Sequence, residues 1–306
     1  MKYFLIYLSF ITSSLASLTA ADCGDDQFSL SKAYVTKENA ISCQKIHYFQ
    51  STVEDISELF NDAPPVRLLI SPKSSNASFD YGETVYIPLQ MTFPGKYGSV
   101  NYGDPTQTEY ILAHEYGHAV FTKLLSRNNF YKDIYAVDKE FSQLEFESKF
   151  KSDLDEETLQ RINELRDKKN DYNKVRKLLT DYSEFFADVI AVYYSNNKET
   201  MLNALYFDAM SDQSYNLVLA RSFSERRVDI SDRIYTEEHA SLVLARHFVG
   251  ANLWPKTKEQ KVDYLQSIFN VIEEEILERL ERKEYRLSAK KMNNSLIKRL
   301  KSIMSL

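Results

Sequence analysis

Two histidines four residues apart are the residues of this chain most able to do chemistry. They lie in ILAHEYGHAVF, residues 111–121, as His114 and His118, and Glu115 directly follows the first. On a helix, residues four apart share one face, so both imidazoles could bind one tetrahedral Zn²⁺. Glu115 is rotated by about 100° from His114, so it is better placed to take a proton from a nearby water than to bind the metal. The spacing therefore predicts a zinc site with an adjacent general base.

The neighbours of these three residues indicate that their helix is buried. They are apolar on nearly every side of the helix: Ile111, Leu112, Ala113, Ala119, Val120 and Phe121. Buried imidazoles and carboxylates without partners cost on the order of a few kcal/mol each, and a metal ion would supply those partners. The alternative that stays open is that ordinary side chains satisfy both histidines.

A third ligand is expected from the segment TDYSEFFADVIAVYY, residues 180–194. Glu184 and Asp188 are four residues apart, so they share a helix face. Glu184 is the candidate third ligand, and Asp188 is expected to accept the Nδ1–H of His114 and so fix its tautomer. An alternative for Glu184 is a capping-box pairing with Asp181 at a helix start.

The motif HEYGH followed by SEFFAD resembles the gluzincin zinc metallopeptidases, in particular their minigluzincin branch, over residues 66–195. The resemblance implies an α+β, mainly helical fold, with a thermolysin-like zincin core and a small sheet beside the HExxH helix. It implies one Zn²⁺ per chain on His114, His118 and Glu184, and hydrolysis of peptide bonds by an activated water with Glu115 as general base. Two alternatives stay open: a zinc-binding pseudopeptidase and a helical interaction protein without activity.

The resemblance also implies a substrate site beside the metal. The edge strand of the sheet would bind extended peptide by strand addition, and Thr84, Val85 and Tyr86 of the hairpin SFDYGETVYIP fit that position. A histidine or tyrosine would hydrogen-bond the tetrahedral oxyanion, and His239 is the candidate. Arg246 could support His239 or hold a substrate carboxylate. The alternative for His239 is a surface histidine beside its two preceding glutamates.

Short strands and one capped helix are expected to position these residues. Helical spacing predicts a helix over 44–60, and strands are predicted at 66–70, 77–81 and 84–88, followed by a loop over 95–103. The central helix has a clear predicted start, with an N-cap, a first-turn proline and a capping-box partner at Asp104, Pro105 and Gln107. It is expected to end near Ser126.

Further helices are expected downstream. Residues 137–180 are charged and helical in character, and they predict a helical excursion that could cover or restrict the cleft. Helices are then predicted from 181 to 194, within 198–224 and within 237–252. The tail, residues 257–306, is amphipathic and predicts a packed surface helix or a short coiled coil.

The N-terminus has the pattern of an export signal. Lys2 precedes an apolar segment from Tyr3 to Thr12, and Thr19-Ala20-Ala21 fits a cleavage site. Residues 1–21 are therefore predicted to be a signal peptide of a secreted or periplasmic protein. An uncleaved membrane anchor is the alternative, and only in that case would a membrane be a partner.

Composition and cysteine usage complete the prediction. The two cysteines, Cys23 and Cys43, are expected to form one disulfide in an exported chain. The net charge of −6 does not suggest nucleic acid as a partner, and the resemblance implies a peptide or protein substrate. We therefore expect a signal peptide at 1–21, a zinc metallopeptidase domain at 22–256 and a C-terminal amphipathic helical segment at 257–306.

Overall fold

The computed structural model describes residues 18–24, 27–36, 41–74, 76–95, 98–102, 105–151, 154–206, 210–224, 228 and 232–304. Within these ranges the chain is mainly helical and contains one small mixed β-sheet, as expected. The strands are β1 (Leu18–Ala20), β2 (Ser31–Thr36), β3 (Val66–Ser74), β4 (Ser78–Phe79), β5 (Thr84–Gly95) and β6 (Gly98–Tyr102). The helices are α1 (Cys43–Ser57), α2 (Pro105–Leu125), α3 (Asn129–Ser148), α4 (Glu156–Asp171), α5 (Asn173–Ser195), α6 (Thr200–Leu205), α7 (Asp212–Leu219), α8 (Asp232–Thr236), α9 (Val243–Asn252), α10 (Lys258–Glu281) and α11 (Ala289–Ile303).

The sheet runs in the order β1-β2-β3-β5-β4, and β6 pairs with the second half of β5. Strands β2, β3 and β5 are parallel neighbours, and α1 makes the crossover that a parallel pair requires between β2 and β3. The strands predicted at 66–70, 77–81 and 84–88 are confirmed as β3, β4 and β5, although β4 is shorter than predicted and β3 and β5 are longer. The prediction of a loop over 95–103 is wrong, because β6 lies within this range and pairs antiparallel with β5.

Side-chain alternation divides the sheet into two faces. One face is packed into the main core with α1 and α2, and its central residues are at most 1% exposed: Leu68, Ile70, Val85 and Ile87. The other face lies under α3. There the Arg67 guanidinium is 4.6 Å from the ring centroid of Phe146, and the Tyr86 hydroxyl accepts a hydrogen bond from Lys149. The sheet therefore has a helical layer on each side.

The excursion expected at 137–180 is a helical hairpin of α3 and α4, closed by a small cluster of Phe141, Ile162 and Leu165. Its contacts are with the outer face of the sheet, the turn before β5 and the start of α5. Helix α5 begins at Asn173, two turns earlier than predicted, so Asp181 lies inside the helix.

Helices α2 and α5 pack in unusually close contact at Gly117. A Cβ atom at this position would lie 2.8 Å from the Ala187 Cα, which is closer than real Cβ atoms approach backbone. The glycine inside the HEYGH motif therefore allows α5 to approach the face of α2 that carries both histidines. The predicted start of α2 is confirmed at Pro105, whereas Asp104 lies outside the described residues.

The C-terminal helices belong to the same hydrophobic core as α2 and α5. Phe269 of α10 packs edge-on against Phe121 of α2 and Phe186 of α5, with ring centroids 6.1 Å and 5.7 Å apart. Asn293 of α11 is fully buried and bonds to the backbone of the segment leading into α9: its amide oxygen accepts from Ala245 N at 3.0 Å, and its amide nitrogen donates to Ser241 O at 2.8 Å.

The disulfide expected at the N-terminus is present between Cys23 and Cys43, and it ties the strand region to the first residue of α1. The first 17 residues, which include the apolar part of the predicted signal, lie outside the described ranges. The predicted cleavage site overlaps β1, which pairs with β2. Among the helices that are described, none combines the length and the apolar character needed to cross a membrane.

Candidate metal centre

The imidazoles of His114 and His118 and the carboxylate of Glu184 meet between α2 and α5. The two Nε2 atoms are 3.1 Å apart. Glu184 Oε2 lies 3.2 Å from His114 Nε2, and Glu184 Oε1 lies 3.4 Å from His118 Nε2. The three side chains are 5–11% exposed. Tertiary packing thus gathers the three predicted ligands into one group that could hold a metal ion.

The spacing of the three donors fits zinc. Ligand atoms bound tetrahedrally at about 2.0–2.1 Å lie about 3.3–3.4 Å from one another. The two Nε2 atoms are 3.1 Å apart, and each approaches a different oxygen of Glu184, at 3.2 and 3.4 Å, so that one ligand atom from each residue lies within 4.8 Å of the others. Glu184 Oε2 is buried and accepts no hydrogen bond from any described residue. A cation between the donors would satisfy this oxygen, so two imidazole nitrogens and a carboxylate form a suitable donor set.

The outer nitrogen of each imidazole already has a partner. His114 Nδ1 lies 2.9 Å from Asp188 Oδ1, and His118 Nδ1 lies 2.7 Å from Ser183 Oγ. When Nδ1–H donates to these acceptors and both rings are neutral, the two Nε2 lone pairs face each other, so the pair needs either a metal ion between the rings or a proton on one of them. Asp188 therefore lies where it was expected, beside Nδ1 of His114.

The Asp188 carboxylate is fully buried between two guanidinium groups. Arg221 Nη2 lies 2.6 Å from Oδ1, and Arg246 Nε and Nη2 each lie 2.8 Å from Oδ2. Although burial opposes ionisation, Arg221 and Arg246 hold the pKa of Asp188 well below its usual range. Gly250 allows this arrangement, since a Cβ there would lie 1.7 Å from the Phe223 carbonyl oxygen.

The predicted role of Arg246 in holding a substrate carboxylate is wrong. Its side chain is 0% exposed and pairs with Asp188, so it is not a group at the surface of a cleft that could hold a substrate carboxylate. The capping-box explanation of Glu184 is also wrong. Asp181 lies in the third turn of α5, and its carboxylate accepts from Ser241 Oγ at 2.5 Å instead.

The surroundings of the two histidines shift their pKa values in opposite directions. Burial and Arg221 disfavour protonation of His114, but its contacts with the Asp188 and Glu184 carboxylates outweigh them and raise its pKa to about 9. Burial lowers the pKa of His118 to about 3. In the metal-free protein, His114 is therefore an imidazolium between two carboxylates, and a metal ion must replace its proton.

Glu115 has the electrostatics of a general base that works near neutral pH. Its side chain lies in the buried helix α2, with 9% exposure. Burial raises its pKa to about 7, the charge of Glu184 adds to that effect, and His114 and Arg221 oppose it. A carboxyl group with a pKa near neutrality can both accept and return a proton.

His239 lies at the open side of the donor group, with its side chain 40% exposed. Its Nε2 is 3.6 Å from Glu184 Oε2, and its Nδ1 is 2.8 Å from Glu237 Oε1. It occupies the turn between α8 and α9, where the sequence predicts a helix. The structure thus places His239 beside the donor group, where it contacts the carboxylates of Glu184 and Glu237.

The predicted substrate strand is not at a free edge. Thr84, Val85 and Tyr86 of β5 pair with β3 on one side, and Val85 and Tyr86 also pair with β4 on the other. Thr84 and Val85 are 0% exposed. Strand addition at these residues is therefore excluded, because the hydrogen-bonding positions that a peptide would use already belong to β3 and β4.

Two residues of the centre were missed by sequence reasoning. Ser183 directly precedes Glu184 and could have been found from its place in SEFFAD. Arg221 lies in an irregular segment after α7, 33 residues from Asp188, and no local pattern connects the two. The sequence also predicts a helix over that segment, which gave no reason to place Arg221 beside Asp188.

Comparisons of this chain with protein-family models, with curated proteins and with solved structures gave no match.

Proposed function

We propose that this chain is a zinc-dependent metallopeptidase of the gluzincin type, with one Zn²⁺ bound by His114, His118 and Glu184. The observation that carries the proposal is the donor geometry: three buried side chains whose ligand atoms lie within 4.8 Å of one another, with both outer imidazole nitrogens already paired. A helical interaction protein would have no use for this arrangement.

Zinc, when bound, would polarise the substrate carbonyl and lower the pKa of a coordinated water toward about 7. The chain's own residues then do the proton chemistry. The Glu115 carboxylate takes a proton from the attacking water and gives it to the amine nitrogen as the peptide bond breaks. Asp188 keeps the proton of His114 on Nδ1, so that Nε2 stays free to bind the metal.

We further propose that these elements form the thermolysin-like core that the resemblance implies, and the arrangement of the elements supports this. Helix α2 carries both histidines and the base, α5 supplies the third ligand, and the sheet packs beside α2. We also propose export of the chain, supported by the N-terminal sequence pattern and by the Cys23–Cys43 disulfide, which fits an oxidising compartment.

Metal analysis of three proteins tests the proposal. The wild type should hold about one zinc per chain, Glu115→Gln should retain it, and Glu184→Ala should lose most of it. Glu109→Gln is the matched control, because Glu109 lies on the same helix but its carboxylate contacts Tyr48 and Tyr194. Absence of zinc from the wild type prepared without chelators would refute the proposal.

Casein digestion separates a peptidase from a zinc-binding pseudopeptidase. The wild type and Glu109→Gln should cleave casein, and Glu115→Gln should not, although it keeps its metal. A zinc-loaded wild type that cleaves neither casein nor a mixed peptide library would instead support the pseudopeptidase.

A further inference from the structure

The C-terminal segment of the chain carries a strong local excess of positive charge. Residues 282–301 contain eight lysines and arginines and one acidic residue, Glu284. The chain as a whole has a net charge of −6, so the total conceals this separation of charge. Most of the excess lies on α11, which contains five basic residues and no aspartate or glutamate. One helix therefore presents positive charge on an otherwise acidic protein.

Four lysines of α11 form one continuous face, which we call the lysine face. All four are exposed: Lys290, Lys291, Lys298 and Lys301. With 3.6 residues per turn they fall within an arc of about 100° and extend over about 16 Å along the helix axis. The apolar residues that α11 buries lie on the opposite side: Met292, Leu296, Leu300 and Ile303. Helix geometry therefore keeps the lysines out of the core.

The lysine face has no carboxylate partner within the part of the chain that the structure describes. Arg299, on the flank of α11, contacts Glu275 Oε2 at 2.8 Å and also reaches Glu274 and Glu278 of α10. The four lysines make no such ion pair with any described residue. The carboxylates of α10 therefore neutralise one side of α11 and leave the lysine face uncompensated.

The stability of the fold does not account for this arrangement. Lys290 and Lys291 lie in the first turn of α11, where the helix dipole disfavours cations. Lys298 and Lys301 are three residues apart on one face, so their charges repel each other. Because the four side chains neither pack in the core nor pair with acidic residues, a partner outside the chain explains them better than folding does.

The shape of the lysine face indicates an extended anionic partner with an apolar layer. The lysines are spread along the helix instead of converging on one point, so they match a charged surface better than a single small anion. Met304, the C-cap residue of α11, is 56% exposed and comes three residues after Lys301. An exposed apolar side chain beside lysines is typical of helices that lie at a bilayer surface, whereas a soluble polyanion would not contact it favourably.

We propose that the lysine face of α11, with Met304 at its end, docks the protein on a bilayer that contains anionic phospholipids. The ammonium groups contact the phosphates of the headgroups, and the Met304 side chain enters the boundary between headgroups and acyl chains. Because the apolar side of α11 stays in the protein core, docking is peripheral and reversible. It requires no membrane-spanning segment, and it does not depend on the metallopeptidase function.

Cosedimentation with lipid vesicles tests the proposal. The full chain should bind vesicles of phosphatidylcholine and phosphatidylglycerol in equal amounts, and bind pure phosphatidylcholine far more weakly. The quadruple variant Lys290→Gln, Lys291→Gln, Lys298→Gln, Lys301→Gln should bind the anionic vesicles about 100–1,000-fold more weakly, since each lysine at an anionic surface contributes about fivefold. Raising the ionic strength should release the wild type, because salt screens exposed charges.

A matched control removes the same charge from another surface. Four exposed lysines outside α11 serve this purpose: Lys132, Lys151, Lys168 and Lys174. Their quadruple glutamine variant should bind anionic vesicles as the wild type does. The apolar N-terminal segment is the same in every variant, so it cannot produce a difference between them. Urea denaturation should show that both quadruple variants stay folded.

Met304→Gln separates a bilayer from a soluble polyanion. It should weaken binding to anionic vesicles by about 4–15-fold, the effect of keeping one or two methylene groups in water, and leave binding to heparin unchanged. Equal binding of the wild type to anionic and neutral vesicles, or equal binding of the wild type and the α11 quadruple variant, would overturn the proposal. Binding to heparin without binding to anionic vesicles would also overturn it, since the partner would then be a soluble polyanion.

Discussion

Replacing Gly117 by alanine tests whether the contact between α2 and α5 sets the geometry of the metal centre. Gly117 lies between the two histidines of α2, and the Ala187 against which it packs lies one turn after Glu184 on α5. The new Cβ would lie 2.8 Å from Ala187 Cα and 3.1 Å from Ala187 Cβ. Because optimal carbon–carbon contact begins at about 3.5 Å, the helices must separate by about 0.7 Å.

This separation is large for a metal site and modest for a helix pair. Metal–ligand distances tolerate a deviation of about 0.2 Å, so zinc affinity should fall by about 10–100-fold, as when a supporting residue is lost. Overpacking costs about 1–3 kcal/mol, and alanine regains about 1 kcal/mol of helix propensity over glycine. The metal-free protein should therefore lose about 0–2 kcal/mol of unfolding free energy.

Zinc affinity is measured by competition with a chromophoric chelator, and stability by urea denaturation of the metal-free protein. Adding Ala187→Gly to Gly117→Ala removes the 3.1 Å contact but not the 2.8 Å one, so it should restore affinity in part. A Gly117→Ala protein that is more stable than the wild type and binds zinc as tightly would refute the reasoning. In that case the higher helix propensity of alanine would explain the result, and no steric overlap with α5 would be needed.

Three further predictions follow from the charges and the disulfide. Asp188→Ala leaves two buried guanidiniums without their carboxylate, so urea denaturation should show a loss of about 3–5 kcal/mol; a loss below about 1 kcal/mol would contradict the described network. The raised pKa of His114, about 9 in the metal-free protein, means that zinc must displace a proton at pH 7. Affinity should thus rise by up to about tenfold per pH unit and level off above the pKa, and calorimetry in buffers of different ionisation enthalpy should detect the released proton; a flat profile would contradict this. The Cys23→Ser, Cys43→Ser double variant should lose about 3 kcal/mol of unfolding free energy with unchanged zinc content, and coupled loss of zinc would show that the disulfide acts on the site.

The residues nearest the metal could be predicted because helix geometry is local. A separation of four residues puts two side chains on one face of any helix, so His114 with His118, and Glu184 with Asp188, are fixed as pairs by the sequence alone. The apolar residues around them predict burial, and burial predicts that the polar groups must find partners.

The start of α5 shows where local reasoning fails. The segment before Asp181 has apolar residues at helical spacing, Val175, Leu178 and Leu179. However, α5 begins after Tyr172, which provides no side-chain cap, so the sequence does not reveal the start at Asn173. The same uncertainty made a capping box at Asp181 a reasonable alternative, which the longer helix excludes.

Tertiary structure alone decided which distant groups reach the centre. Arg221 and Arg246 meet on Asp188 because Gly250 lets α9 pack on the segment after α7. Thr84 to Tyr86 lie inside the sheet rather than at its edge, since β4 folds back over them. Spacing along one element determines which residues can act together, but contacts between elements far apart in the chain depend on packing that no local pattern encodes.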